Sequence, residues 1–89
     1  MATVHLPRSL VMLFPDPPPR HVEIVSTSLG QLFDELEARW PGMRDRLCEA
    51  GPHIREHINV FIDGERERDL ATPLSPRSVV HVIPAVAGG

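Results

Sequence analysis

The sequence predicts an α+β domain in which four to five strands pack on one main helix and a short tail follows the last strand. Three observations predict it. Apolar and polar residues alternate near the start, in the second half and near the end of the chain. One central stretch switches to helical spacing behind a capping signal. The last apolar run then gives way to Gly88-Gly89. Eighty-nine residues build one core and no more, so the expected organisation is a single domain over 1–84 and a flexible C-terminal tail over 85–89.

Ala2-Thr3-Val4-His5-Leu6 puts Val4 and Leu6 on one face of a half-buried strand. Pro7 ends that pattern, Ser9 to Phe14 is apolar but irregular, and Pro15-Asp16-Pro17-Pro18-Pro19 forbids regular hydrogen bonding, so a long rigid loop closes a hairpin. His21-Val22-Glu23-Ile24-Val25 is its second strand. Ser28 and Gln31 have the spacing of a capping box, which starts a helix near Leu29. Leu29, Leu32, Phe33, Leu36 and Trp40 form its apolar stripe, and Asp34, Glu35, Glu37 and Arg39 face outward. Pro41-Gly42 stops it, and Met43, Leu47 and Cys48 suggest a short second helical turn over an edge of the core. Ile58, Val60 and Ile62 alternate with Asn59 and Phe61 in a third strand that turns at Asp63-Gly64 into a charged edge strand within Glu65 to Arg68. Leu70 to Leu74 is an irregular connection with both leucines reaching inward. In the last strand, Val80 and Val82 point to the core and Val79, His81 and Ile83 lie on the outer face, as Phe61 does.

Composition narrows the function. The hydrophobic content of 42% and charged content of 24% are those of an ordinary soluble globule. No apolar stretch approaches the roughly 20 residues of a spanning helix, and no basic segment followed by a long apolar one opens the chain, so no membrane association and a cytoplasmic location are expected. Net charge is −3 with acids and arginines interleaved, which argues against a nucleic-acid partner. All nine basic residues are arginine. An activated carboxyl group would therefore find no lysine amine on a sister copy. The single cysteine, Cys48, makes no internal disulfide and offers one ligand to any metal. It reads as a structural thiol, because no neighbour in sequence marks a low pKa.

His53-Ile54-Arg55-Glu56-His57 matches a zinc-peptidase string, H-x-x-E-H. Its context does not fit. Gly51-Pro52 precedes it and a strand starts at Ile58, leaving less than two turns of helix, so these histidines are read as exposed loop residues and no metal site is expected. No phosphate loop, no nucleophile with a base and no paired carboxylates stand out. A catalytically empty chain suits a carrier.

The chemistry is expected at the end of the chain. Glycine makes up about 7% of average composition, so a chance Gly-Gly ending has a frequency of roughly half a percent. Gly88 and Gly89 lack Cβ atoms and can thread a channel that would reject any side chain. Fully extended, Ala85 to Gly89 spans roughly 17 Å, enough to carry a terminal carboxylate into a partner's active site. Phe61, Ile83, Val79 and His81 on the outer sheet face would sit beside the root of that tail, where a partner gripping it must also dock.

The order strand, strand, capped helix, strand, short strand, strand, with Gly-Gly leaving the last strand, resembles the MoaD/ThiS family of sulfur carriers. These are relatives of ubiquitin with a β-grasp fold, a mixed sheet on one helix. The segments Leu36-Glu37-Ala38-Arg39-Trp40-Pro41-Gly42-Met43, His57-Ile58-Asn59-Val60-Phe61-Ile62-Asp63-Gly64 and Val82-Ile83-Pro84-Ala85-Val86-Ala87-Gly88-Gly89 look most like the MoaD-like/CysO branch. The resemblance implies no resident cofactor. It implies an activating enzyme of the ubiquitin-activating type that uses ATP to adenylate the Gly89 carboxylate, and a sulfur donor that displaces AMP to leave a thiocarboxylate. A sulfur-accepting synthase then takes the sulfide toward cysteine or another sulfur-containing metabolite. On that mapping Gly89 carries the sulfur, Gly88, Ala87 and Val86 thread the partner, and the free protein is a monomer. Two alternatives stay open: the small subunit of molybdopterin synthase, and a ubiquitin-like modifier of other proteins. The proline-rich first loop and the connection from Glu65 to Pro76 depart from the family's commoner pattern.

Overall fold

Alternation decides which face of each strand is buried, and the computed structural model, which describes residues 1–84, carries that pattern through the central sheet. The elements are β1 (Ala2–His5), α1 (Arg8–Val11), β2 (His21–Ile24), α2 (Leu29–Arg39), α3 (Met43–Leu47), β3 (Cys48–Glu49), β4 (His53–Ile54), β5 (Ile58–Ile62), β6 (Glu65–Arg66) and β7 (Val79–Pro84). Five strands form a mixed sheet in the order β2-β1-β7-β5-β6. β1 runs parallel to β7 and antiparallel to β2, and β5 is antiparallel to both β7 and β6. The first and last described strands are thus neighbours, and β7 is the middle strand of the sheet.

Ala2, Val4 and Leu6, Val22 and Ile24, Ile58, Val60 and Ile62, and Val80 and Val82 are all buried, and they share one core with Leu29, Leu32, Phe33 and Leu36 of α2. The helix stripe ends one residue earlier than its spacing suggests. Trp40 is the C-cap, with φ −130° and ψ 86°, and lies half-buried at the rim of the core with Phe14. Met43 and Leu47 of α3 seal the same end and are fully buried. Leu74 is buried and Leu70 packs against the core, so the irregular connection reaches inward as its sequence suggests.

The start of α2 explains that connection. A helix opens with N–H groups that have no intrahelical acceptor. Here the Leu29 N–H donates to the Thr72 carbonyl (3.0 Å), the Gly30 N–H to the Leu70 carbonyl (2.8 Å) and the Gln31 N–H to Ser28 Oγ (3.1 Å). A Cβ on Gly30 would lie 3.2 Å from that Leu70 oxygen, so glycine lets the loop approach the helix. The capping box is displaced by one residue. Gln31 Oε1 accepts from the Thr27 N–H (2.6 Å) and hydroxyl (2.9 Å), not from Ser28.

Three elements are absent from the sequence reading. Arg8–Val11 forms one turn of helix after Pro7, which occupies the N-cap, and it buries Leu10 and Val11. Cys48–Glu49 and His53–Ile54 pair as a two-stranded ribbon around a Gly51 turn with φ +108°. The Asp63-Gly64 turn takes the two positive φ angles of a tight hairpin, 51° and 87°. Asp63 also ties that turn to β7, accepting from the Val79 N–H at Oδ1 (2.9 Å) and donating its own N–H to the Val79 carbonyl (2.9 Å).

Glu37 closes the join between α2 and α3. Its carboxylate accepts from the Arg44 N–H (2.8 Å) and the Gly42 N–H (3.0 Å). The Arg44 and then the Gly42 hydrogen bond hold its pKa below the ordinary value of 4.5, burial opposes them, and the Arg44 charge assists. A lowered native pKa makes this stabilisation complete above about pH 4.5 and removes it as pH falls through the native value. The urea midpoint of Glu37→Gln should therefore lie below that of the parent chain at about pH 7, and the gap should close as pH falls through the lowered native pKa.

Candidate functional site

The face of the sheet turned away from α2 is uncovered, and its register places particular side chains together. On β7, Val79 is half-buried, and His81 and Ile83 are exposed, the latter at 45%. On β5, half-buried Phe61 pairs with His81, and Asn59 pairs with Ile83. Phe61, Val79, His81 and Ile83, named from alternation alone, thus occupy one continuous patch.

The row through Phe61 extends further than the sequence shows. His81 pairs with His5 of β1, His5 with His21 of β2, and Phe61 with Arg66 of β6. Five outward side chains, His21, His5, His81, Phe61 and Arg66, therefore cross all five strands in register. The His5 ring stacks on that of His81, with centroids 4.4 Å apart and planes at 18°, and meets that of His21 edge-on at 4.1 Å. Partial burial first, then the neighbouring His21 and His81, push the His5 pKa below the ordinary histidine value. Among the described residues no cluster of three or more histidine, cysteine, aspartate or glutamate side chains has the geometry to hold a metal ion.

Pro84 is the last described residue and sits between two depressions. One, of about 290 Å³, is shared by His5, His21, His81, Arg20, Ile83 and Pro84. The other, of about 350 Å³, has apolar walls from Leu10, Leu13, Ile58 and Pro84 and a polar side from Arg46 and His57. The residues expected to do the chemistry, Val86, Ala87, Gly88 and Gly89, lie outside the described residues.

Arg68 braces this region. Read from sequence as part of an edge strand, it lies beyond β6, and its guanidinium donates to the carbonyls of Ile58 (2.9 Å), Ile54 (2.8 Å) and Arg55 (3.0 Å). The segment it holds leads into β5, where Ile58 pairs with Pro84. Arg68→Ala is expected to cost about 2 kcal/mol in urea denaturation, since hydrogen bonds from a charged donor contribute more than neutral ones. Arg68→Lys should recover less than half of that, because an ammonium group cannot reproduce the planar fork.

Cys48 is buried, and desolvation raises its thiol pKa against the lowering influence of Arg44 and Arg55. His53 is an exposed residue of β4 and His57 lies in a turn, so the zinc-peptidase string is not helical.

A model of the ThiS family matches residues 20–89. The chain belongs to the ThiS family. Sulfur carrier protein CysO of Mycobacterium tuberculosis is 31% identical over 75 residues, 79% of this chain and 81% of that protein. Small archaeal modifier protein 3 of Haloferax volcanii is 37% identical over 65 residues, 70% of each chain. Among solved structures, the Amycolatopsis orientalis BexX/CysO complex matches with a TM-score of 0.86 over 100% of both chains at 25% identity. The fold of this ThiS-family chain is the ubiquitin-like β-grasp. Its relatives include both sulfur carriers and ubiquitin-like modifiers.

Proposed function

We propose that this ThiS-family protein is a sulfur carrier that works through the Gly89 carboxylate. The observation that carries the reading is the family match, which runs through residue 89 and so includes Gly88-Gly89. A carboxylate is a poor electrophile. Attack of the Gly89 carboxylate on the α-phosphate of ATP, within an activating enzyme of the ubiquitin-activating type, releases pyrophosphate and gives an acyl adenylate. A sulfur nucleophile then displaces AMP, and the thiocarboxylate delivers sulfide to an accepting synthase. The product would be cysteine or another sulfur-containing metabolite.

Supporting this reading is the likeness to CysO. So is the division of labour within the domain, whose described residues provide an uncovered face at the root of the tail and an unreactive, buried thiol. Partners would grip the sheet face through Phe61, Val79, His81 and Ile83 while Val86, Ala87 and Gly88 thread the active site. The likeness to a small archaeal modifier protein favours a second reading, attachment of Gly89 to amines of other proteins. Because this chain has no lysine, such a modifier would not build lysine-linked chains on itself.

The deciding experiment incubates the protein with ATP, a sulfide source and an activating enzyme, and reads its intact mass beside that of a Gly89-deleted variant. A gain equal to one oxygen replaced by one sulfur, absent from the deletion, is the expected result. Adducts of higher mass that resist reduction, without that gain, would select the modifier.

A further inference from the structure

The outer sheet face of this acidic protein is poor in carboxylates and carries two arginines and three imidazoles. Net charge is −3, and Asp34, Glu35 and Glu37 sit on α2. The sheet's outward rows hold His21, His5, His81 and Arg66, with Glu23 as the one carboxylate among the described outward positions of β1, β2, β5, β6 and β7. Arg20 lies at one end of the row, in the same depression as the histidines, with Nε donating to the Leu6 carbonyl (3.2 Å). Arg66 stands at the other end, with Nε on Asn59 Oδ1 (3.2 Å).

We infer that this face docks an acidic protein surface, whose carboxylates are met by the His21–His5–His81 row between Arg20 and Arg66. Charge complementarity selects the class of partner. Phe61, Val79 and Ile83 flank the row and suit the apolar side chains of a protein surface, whereas a phosphodiester backbone would leave them uncovered. The inference deepens the carrier reading, which puts this face beside a tail that partners must enclose, and it names what those partners present.

Docking is coupled to protons. In the free chain partial burial, and then the neighbouring His21 and His81, disfavour the charged form of His5. A partner carboxylate within hydrogen-bond reach favours the imidazolium and opposes both effects. The groups facing the row are Arg20 just before β2, Glu23 of β2, the three imidazoles themselves, and Arg66 beyond Phe61. Glu23 sits one pairing step from His21, opposite Thr3. The complex therefore holds more protons than its separated parts, and affinity rises as pH falls toward 6.

The test titrates the isotopically labelled full chain with hexaglutamate, following imidazole and amide NMR signals at about pH 6.0 and about pH 7.5. Glutamates, with pKa about 4.3, stay charged across that range. Expected are shifts concentrated at His5, His21, His81, Phe61 and Arg66, with binding tighter at the lower pH by more than about threefold and, for linkage of one proton, by at most about thirtyfold. His5→Gln/His81→Gln, exposed-face changes whose folding the amide spectrum checks, should bring that ratio to about twofold or less. No shifts at the lower pH, shifts mapping instead to His53, His57 and Arg46, an unchanged ratio in the double variant, or tighter binding of a hexathymidine oligonucleotide would each overturn the inference. A chain lacking Gly88 and Gly89 should bind hexaglutamate as the full chain does. Failure of the docking reading is thereby separated from failure of the tail chemistry, which the mass experiment reads on its own.

Discussion

Phe33→Ala is expected to destabilise the domain by about 3–5 kcal/mol in urea denaturation, the cost typical of deleting a large aromatic side chain from a core. Phe33 has no exposed surface and lies in the middle of the apolar stripe of α2, so its ring packs within the core that the helix shares with the five strands. Nothing nearby can collapse to fill the space cheaply, because Leu29, Leu32 and Leu36 beside it are themselves fully buried and held by the helix. A domain of this size has a total stability of about 4–13 kcal/mol, so the variant should approach half unfolding under conditions where the parent is fully native. Phe33→Leu keeps much of the volume and should cost less than about 1.5–2 kcal/mol. Equal losses in the two variants would show that the site is not tightly packed.

The parts of the fold that could be read from sequence are those whose signals are local. Ser28 and Gln31 announce α2, and Leu29, Leu32, Phe33 and Leu36 recur at helical spacing. Val80 and Val82, Val60 and Ile62 alternate cleanly, so the buried and outward faces of β7 and β5 follow directly. Trp40 fits the same stripe and still escapes full burial, because Pro41-Gly42 turns the chain away before another helical turn can carry it inward. Arg8–Val11 and the β3–β4 ribbon are too short for either period to show.

The candidate site was half legible for a different reason. Phe61, Val79, His81 and Ile83 share two strands, and alternation alone puts them outward. His5 and His21 are just as outward on their own strands, but a three-ring row requires knowing that β1 lies between β2 and β7 and in which register. Those pairings join residues far apart in the chain, such as His5 and His81. A histidine at each outward position was the available signal, and only the topology turned it into a cluster. Arg68 gives no local signal for the same reason, since its three carbonyl partners lie 10–14 residues earlier in the chain.

Gly88→Val should slow activation at Gly89 by about 100-fold or more, equivalent to about 2.7 kcal/mol of transition-state stabilisation, while leaving the urea midpoint of the domain unchanged. The prediction rests on the carrier reading. An enzyme that activates a chain terminus must surround it closely enough to align the carboxylate with the α-phosphate of ATP, and a branched side chain next to the reacting residue both widens the tail and closes backbone angles open to glycine. The resulting loss should fall on kcat, because misalignment is felt at the reacting atoms after the domain has docked. Phe61→Glu on the sheet face should act on the other parameter, raising KM with little change in kcat, since it removes contact made equally in the ground and transition states. Steady-state pyrophosphate exchange with an activating enzyme separates the two. A Gly88→Val chain activated as fast as the parent would remove the reason for the paired glycines, and a Phe61→Glu chain with unchanged KM would place docking elsewhere than on the outer sheet face.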